Sequence, residues 1–161
     1  MFFFGPFLDL FGRFWTFFDP FSTLFRPKTP KLTHFSPFSA FGNAKTLRND
    51  NSSRFGKYLR VQFTPSGVMT GAAMTIYLLE KSRAVQQNNN ERNYHVFYQL
   101  LAGSTNEERQ RLRLGKAESF AMLSKSGCVA IDGVDDKHNY EMLKEAFRVL
   151  RCAKYSFLLF F

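Results

Sequence analysis

The alternation of apolar and polar residues in the middle of the chain indicates a β-hairpin. Apolar side chains occupy every second position of residues 59–63, which is the period of a half-buried strand. Residues 64–67, with the sequence TPSG, place Pro and Gly where a tight turn accommodates them. A second strand is predicted over 68–76, although a glycine and two alanines inside it weaken its β propensity.

Beyond residue 90 the apolar period lengthens to that of a helix. Four residues recur at the spacing i, i+3, i+4 and i+7, which predicts an amphipathic helix that ends near Gly103: Tyr94, Phe97, Tyr98 and Leu101. His95 lies beside this apolar stripe. We interpret it as a structural or surface histidine rather than a catalytic one.

Three further helices are predicted towards the end of the chain. Thr105 and Glu108 have the spacing of a capping box, which should begin a helix that continues to about Leu114. A short helix is expected at 118–123 and a last one at 139–150. For the middle of the chain we therefore predict a β-hairpin followed by several helices.

An acidic turn, formed by Asp132, Asp135 and Asp136, precedes the last predicted helix. We interpret these residues as charges at a helix N-terminus, because the ordered ligand spacing and closing Glu of an EF-hand are absent. The two cysteines and the three scattered histidines match no zinc spacing. We therefore expect no metal held by this chain's side chains alone, and reduced thiols in a cytosolic protein.

The two ends of the chain differ in composition from its middle. Thirteen of the 21 Phe residues lie within the first 41 positions, and three more lie within the last five. We therefore divide the chain into a Phe-rich segment at 1–40, irregular or helical, a mixed-polarity segment at 41–150 and an apolar tail at 151–161. Polar residues and prolines interrupt the Phe-rich segment too often for a membrane span. One hypothesis for this segment is an interfacial helix at 7–18 that contacts a membrane. We favour the other hypothesis, that the segment is an artefact of gene prediction or a disordered stretch.

The chain carries a formal net charge of +9, which would suit a polyanionic partner. Its charges are spread along 42–150, however, and form no block of five or six like charges. The densest basic patch, at 109–113, alternates with other residues and is interpreted as the solvated face of a helix. We expect no nucleic-acid partner.

A polar run at 43–57 is the part of the sequence that suggests chemistry. The Asn, Asp and Ser residues at 49–53 form helices and strands poorly, so a loop is expected. Hydroxyl, amide and backbone N–H groups of such a loop can complete a Mg²⁺ shell or donate to phosphate oxygens. Four basic residues surround them: Lys45, Arg48, Arg54 and Lys57. A surface turn without a binding function has the same composition. Composition alone therefore favours the interpretation as a surface turn.

Four ordered blocks of sequence resemble myosin heavy chains. FGNAKT and NDNSSRFGKY are similar to the switch-one region of that family, and YLLEKSR and ERNYHVFYQLLAG are similar to the segments that follow it. The resemblance covers residues 41–150, and it implies an α/β fragment of a P-loop NTPase-type motor domain. It favours an unconventional myosin class without assigning one.

The resemblance implies nucleotide contacts for the amides of the polar run. Asn49 would hydrogen-bond the nucleotide phosphates, and Asn51 belongs to the same nucleotide-binding set. Asn43 would pack beside the phosphate-binding loop. The cofactors implied are ATP and Mg²⁺ in a complete motor domain.

The resemblance also implies catalytic roles for the three residues that follow. Ser52 would bind near the γ-phosphate and the attacking water, and Ser53 would supply a hydroxyl to Mg²⁺. Arg54 would form an ion pair with a glutamate of switch two, which closes the site for hydrolysis. Such roles fit phosphoryl transfer, in which positioning and charge stabilisation do most of the catalysis.

Several parts of the family pattern are not found in this sequence. No G-x-x-x-x-G-K-[ST] motif occurs, and neither do the switch-two sequence, the lower actin-binding half or the calmodulin-binding neck. We therefore expect weak or no ATP affinity and no actin-activated turnover for this chain alone. The partners implied are actin filaments, ATP and, in a full-length form, calmodulin-type light chains, in a cytoplasmic, cytoskeleton-associated myosin complex.

Two other interpretations remain open at the level of sequence. The chain would be a non-catalytic fragment that interacts with a membrane or a protein, or it would be the product of a pseudogene or a mispredicted gene. The missing phosphate-binding motif is the feature that distinguishes both of these interpretations from that of an active motor.

Overall fold

The computed structural model describes residues 37–149. Those residues form two compact units, one with Lys57–Tyr77 and the last described residues, the other with residues 37–56 and 78–146. The predicted interfacial helix and the apolar tail lie outside the described residues. In chain order the elements are α1 (Pro37–Gly42), β1 (Asn43–Ala44), β2 (Ser52–Ser53), β3 (Gly56–Phe63), β4 (Met69–Tyr77), a 3-10 helix (Lys81–Ala84), α2 (His95–Gly103), α3 (Asn106–Leu112), a 3-10 helix (Ala117–Ser119), α4 (Ala121–Ser124) and α5 (Asp136–Val149).

The predicted hairpin is confirmed, because β3 and β4 pair with each other in a two-stranded sheet. The turn between them is closed by backbone hydrogen bonds from Thr64 to the carbonyl of Val68 and from Gly67 to the carbonyl of Thr64. Gly67 has a φ of 80°, a conformation that glycine adopts without steric cost. The expectation of a half-buried strand is wrong, since all eight residues of β3 are exposed. The alternation of apolar and polar residues indicates which side chains lie on the same face of a strand, but it does not show whether another element covers that face.

Helix α2 forms the centre of the other unit. Its predicted end at Gly103 is confirmed. The expectation that it is amphipathic is wrong, because every residue at 91–101 is buried, including His95 and Gln99. A helix covered on all sides needs polar partners for its polar side chains, and the contacts below supply several of them.

Two buried polar side chains hold the start of α2 in place. Asn93 donates from its amide to the carbonyls of Ala84 and Met122, at 3.1 and 3.2 Å. The Tyr98 hydroxyl accepts from the backbone N–H of Asn93 and donates to the carbonyl of Leu123, each at 3.0 Å. Because these groups are shielded from water, each lost hydrogen bond would cost about 1–3 kcal/mol.

The capping box predicted for α3 is confirmed. The Thr105 hydroxyl accepts from the backbone N–H of Glu108, and the Glu108 carboxylate accepts from the backbone N–H of Thr105. The helix ends at Leu112, two residues before the predicted end. Arg113 follows in the left-handed conformation with a φ of 53°, which terminates the helix.

The short helix predicted at 118–123 is instead two shorter pieces, a 3-10 turn and α4. Helix α5 begins at Asp136, three residues before the predicted start, because Asp135 caps it by accepting from the backbone N–H of His138 at 3.0 Å. The interpretation of Asp135 and Asp136 as charges at a helix N-terminus is confirmed. Asp136 also pairs with the fully buried Arg92 at 2.9 Å.

Helix α1 packs against α2 in the same unit. Its residues Ala40 and Phe41 are buried. The last four positions of the predicted Phe-rich segment, 37–40, are therefore helical and part of this unit. Helix α1 leads directly into β1, so this packing fixes where the polar run begins.

Candidate functional site

The polar run is held on a frame of three backbone segments. Residue Ala44 of β1 pairs with Ser52 of β2 on one side and forms an antiparallel bridge with Tyr94 on the other. The backbone N–H of Arg92 donates to the carbonyl of Lys45 at 3.0 Å. The residues that enter α2 therefore support the strand from which the loop at 45–51 emerges.

Residues Ser52 and Ser53 lie in a short strand, although a loop was expected for them. They pair with Ala44 and Asn43 respectively. Ser52 is half-buried and Ser53 is exposed. Successive residues of a strand point to opposite faces, so the two hydroxyls are directed differently.

The loop expected at 49–51 is confirmed, and internal hydrogen bonds define its shape. The backbone N–H of Thr46 donates to the carbonyl of Asn49 at 2.8 Å. The Thr46 hydroxyl accepts from the backbone N–H of Asn49 at 3.2 Å. The Asn49 side-chain oxygen accepts from the backbone N–H of Asn51 at 2.8 Å, the pattern of an Asx turn. The loop is exposed, yet it is not an irregular chain.

Two contacts attach the loop to the segment that precedes α2. The Lys45 ammonium donates to the carbonyl of Asn90 at 3.2 Å and lies 3.5 Å from the Asp50 carboxylate. The backbone N–H of Leu47 donates to the Glu91 carboxylate at 3.4 Å. The first half of the loop is therefore attached to residues 90–91.

Residue Arg54 emerges from β2 into an ion-pair network. Its Nε donates to the Glu80 carboxylate at 2.6 Å, and its Nη1 donates to the Ser52 hydroxyl at 3.1 Å. Glu80 also accepts from Nε of Arg83 at 2.8 Å. Burial alone would raise the pKa of Glu80, but the hydrogen bonds from Arg83 and Arg54 outweigh burial and lower it.

The network continues into the interior through Arg83, which is 4% exposed. Its Nη1 donates to the Glu91 carboxylate at 3.0 Å and to the carbonyl of Arg92 at 3.1 Å. Glu91 is the residue that accepts from Leu47. An unbroken set of contacts therefore connects Arg54, beyond β2, with the loop that precedes β2.

The three asparagines of the site are not equivalent. Asn43 is buried and donates its amide to the Asn51 side-chain oxygen at 3.0 Å. The same oxygen lies 3.2 Å from Nε2 of His95, the first residue of α2. Burial, and then the charge of Arg92, lower the pKa of His95 to about 4, with Asp50 opposing that shift.

The structure thus places all six predicted site residues in one stretch of backbone, from β1 through the loop to the residue after β2. It brings Asn43 together with Asn51, and Ser52 together with Arg54. Sequence reasoning missed Glu80, Glu91 and His95. The two glutamates lie in blocks that resemble myosins, but no role was inferred for them from that resemblance, and His95 was interpreted as structural or surface.

The exposed groups of the loop include several hydrogen-bond donors, in addition to the carboxylate of Asp50. In residues 37–149, the amide nitrogens of Asn49 and Asn51 donate to no other protein group, and Arg48 is exposed beside them. The Ser53 hydroxyl is also exposed. Donors of this kind suit phosphate oxygens, and a hydroxyl suits the oxygen shell of Mg²⁺. The donor set fits a magnesium nucleotide in part, and the individual roles expected for these residues stay predictions.

Comparison with known proteins identifies the family. The family model described as "Myosin head (motor domain)" matches residues 33–158. The chain belongs to the myosin head family. That match takes in the whole site and both compact units, and it extends beyond the predicted segment at 41–150 in both directions.

Individual myosins are about half identical to this chain. Identity is 52% over 111 residues with "Myosin-I heavy chain" of Dictyostelium discoideum, covering 69% of this chain and 5% of that protein. It is 50% over 115 residues with "Myosin-1" of Arabidopsis thaliana, covering 71% of this chain and 10% of that protein. It is 51% over 111 residues with "Myosin-VIIa" of Drosophila melanogaster, covering 69% and 5%.

The chain therefore spans between 5% and 10% of the length of these relatives. The similar identities to differently named myosins leave the class of this myosin head unassigned. Within the described range 37–149, no helix is long and apolar enough to cross a bilayer. The same range contains no group of three or more His, Cys, Asp or Glu residues arranged to hold a metal ion.

Proposed function

We propose that this chain supplies the switch-one nucleotide loop of an actin-based, ATP-driven motor domain of the P-loop NTPase type. The observation that carries the proposal is the braced loop at 45–51, whose exposed amides are donors and whose far end leads through β2 to Arg54. Membership of the myosin head family gives the loop its context. ATP and Mg²⁺ are the implied ligands, and actin filaments and calmodulin-type light chains are the implied partners of the whole protein.

Each predicted role uses a group at the site. Asn49 and Asn51 would donate amide protons to phosphate oxygens, and Ser53 would offer its hydroxyl to Mg²⁺. Ser52 would bind near the γ-phosphate and the attacking water, and the Arg54 hydrogen bond would orient its hydroxyl. Arg54 would form the ion pair with a switch-two glutamate that closes the site for hydrolysis. Mg²⁺, when bound, supplies charge neutralisation of the phosphates. Asn43 is buried and would act through Asn51.

The chain as given contains no G-x-x-x-x-G-K-[ST] motif. Because that motif supplies most phosphate contacts in P-loop enzymes, we expect this polypeptide by itself to bind ATP weakly and to hydrolyse none. Steady-state phosphate release by the purified chain, with and without actin, measures this directly. Actin-stimulated release above the blank would contradict the expected inactivity.

A chimera tests the role of the loop itself. Residues 43–57 of this chain would replace the equivalent segment of a complete motor domain of the family. We expect actin-activated ATP hydrolysis to be retained, and the further change Arg54→Ala to lower kcat by about a hundredfold or more. The substitution Lys57→Ala, in a residue without a predicted role, is the matched control. An inactive chimera that still folds and binds actin would contradict the proposal.

A further inference from the structure

Two buried side chains converge on one exposed amide. The side-chain oxygen of Asn51 is 3.0 Å from the amide nitrogen of Asn43 and 3.2 Å from Nε2 of His95. Asn43 is 6% exposed and His95 is 8% exposed, whereas Asn51 lies on the exposed loop. Residues 44 positions apart in the sequence therefore meet at this oxygen.

The chemistry of a carboxamide fixes what this arrangement does. Its oxygen accepts through two lone pairs, and its nitrogen carries two donors. When both lone pairs of the Asn51 oxygen are occupied from the buried side, the NH₂ group of Asn51 is directed away from Asn43 and His95. Without the second buried donor, the amide could turn over and present its oxygen to an approaching anion.

The hydrogen bond to Asn51 requires a hydrogen on Nε2 of His95, because the Asn51 oxygen can only accept. The imidazolium and the Nε2–H tautomer of the neutral imidazole both carry that hydrogen, and the surroundings of His95 select between them. Burial disfavours the imidazolium, and the nearby guanidinium of Arg92 disfavours it further; together they lower the pKa of His95 to about 4 despite the opposing Asp50. At neutral pH the imidazole is therefore uncharged.

We propose that His95 is a positioning residue that sets the polarity of Asn51, so that the loop presents amide donors rather than an amide oxygen to a phosphate. The inference deepens the proposed nucleotide function, since the role of the exposed donors rests on that function. His95 itself does not reach the ligand and acts through Asn51.

A measurement on the unmutated chain tests the hydrogen-bond geometry without any ligand. Long-range ¹H–¹⁵N correlation spectra distinguish the nitrogen that carries the proton from the one that does not. We expect the Nε2–H tautomer for His95, with no conversion to imidazolium near pH 6. An Nδ1–H tautomer at neutral pH would overturn the inference, because Nε2 would then have no hydrogen to donate.

Three variants separate positioning from general packing. His95→Gln keeps an amide N–H at about the reach of Nε2 and should behave like the unmutated chain. His95→Leu removes the donor, and hydrogen exchange of the loop amides at 45–51 should become about fivefold to tenfold faster. Asn51→Asp keeps an acceptor for both buried donors but presents a second oxygen outward, so the loop should stay ordered.

Binding is measured separately by titrating each protein with magnesium ATP and following the backbone amide shifts of the loop. We expect His95→Gln to bind like the unmutated chain, and His95→Leu and Asn51→Asp to show at least a fivefold loss of affinity. Equal affinity and equal loop exchange for His95→Leu and the unmutated chain would overturn the positioning role. If no protein binds but His95→Leu alone loses loop order, the positioning role is supported, and the chimera of residues 43–57 decides the nucleotide function separately. If His95→Leu does not fold, the tautomer measurement decides.

Discussion

The burial of His95 predicts a stability that depends on pH. In the folded chain its pKa is about 4, against 6.5 for the ordinary side chain. Below about pH 6.5 the unfolded chain takes up a proton that the folded chain refuses until about pH 4. The stability from the neutral imidazole is therefore complete above the unfolded pKa and is lost as the pH falls towards the folded pKa.

The magnitude follows from the shift. Each pKa unit is worth about 1.4 kcal/mol, so a shift of about 2.5 units costs about 2 kcal/mol by pH 5 and about 3 kcal/mol by pH 4. A small domain has a total stability of roughly 5–15 kcal/mol. A single histidine would thus remove a large part of it in mild acid.

Urea unfolding at a series of pH values between about 7 and 4, for the unmutated chain and His95→Gln, isolates this contribution. The carboxylates titrate in both proteins, and so their effect cancels in the difference. Residues Arg92 and Asp50, the charged groups that act on His95, are unchanged in both. We expect the free energy of unfolding to fall more steeply in the unmutated chain. Parallel profiles for the two proteins would refute the burial of a neutral imidazole.

Three substitutions test the remaining contacts by chemical unfolding. Arg83→Met should cost about 3–5 kcal/mol of stability, because it leaves the buried Glu91 carboxylate without its guanidinium partner. Adding Glu91→Met should restore part of that loss, and additive effects in the double mutant would argue against the ion pair. Thr105→Ala should cost about 1 kcal/mol through loss of the capping box, with Thr105→Ser as the conservative control that keeps the hydroxyl; equal losses in both would count against the cap. Gly103→Ala should cost about 1–3 kcal/mol, since a Cβ there would lie 2.5 Å from Cδ1 of Tyr140, and an unchanged midpoint would show that this packing yields easily.

The features that the sequence predicts best depend on neighbouring residues. The hairpin follows from a tight turn at 64–67 between an alternating run at 59–63 and a second predicted strand at 68–76. The start of α3 follows from Thr105 and Glu108, three residues apart. In each case the groups that form the hydrogen bonds lie within one turn of chain. Local geometry then suffices to place them, and the structure confirms both predictions.

The contacts that shape the candidate site are long-range, and periodicity carries no information about them. Arg54 and Glu80 are 26 residues apart, and Asn51 and His95 are 44 apart. The sequence does not distinguish a charged residue that is exposed to solvent from one that forms ion pairs with distant residues. The amphipathic interpretation of α2 fails for the same reason: polar side chains such as His95 are buried because distant partners satisfy them, and no local rule names those partners.

The position of Arg54 bears on the ion pair that the family resemblance implies for it. A guanidinium offers five N–H donors along two edges. Glu80 accepts from Nε and Ser52 accepts from Nη1, while in residues 37–149 Nη2 donates to no protein group. A second carboxylate could therefore approach Nη2 without displacing Glu80. A switch-two glutamate would then add to the network rather than compete with it, and Glu80 would hold the Arg54 side chain in place before that partner arrives. Because Glu80 is itself held by the buried Arg83, this orientation is fixed by the interior of the unit.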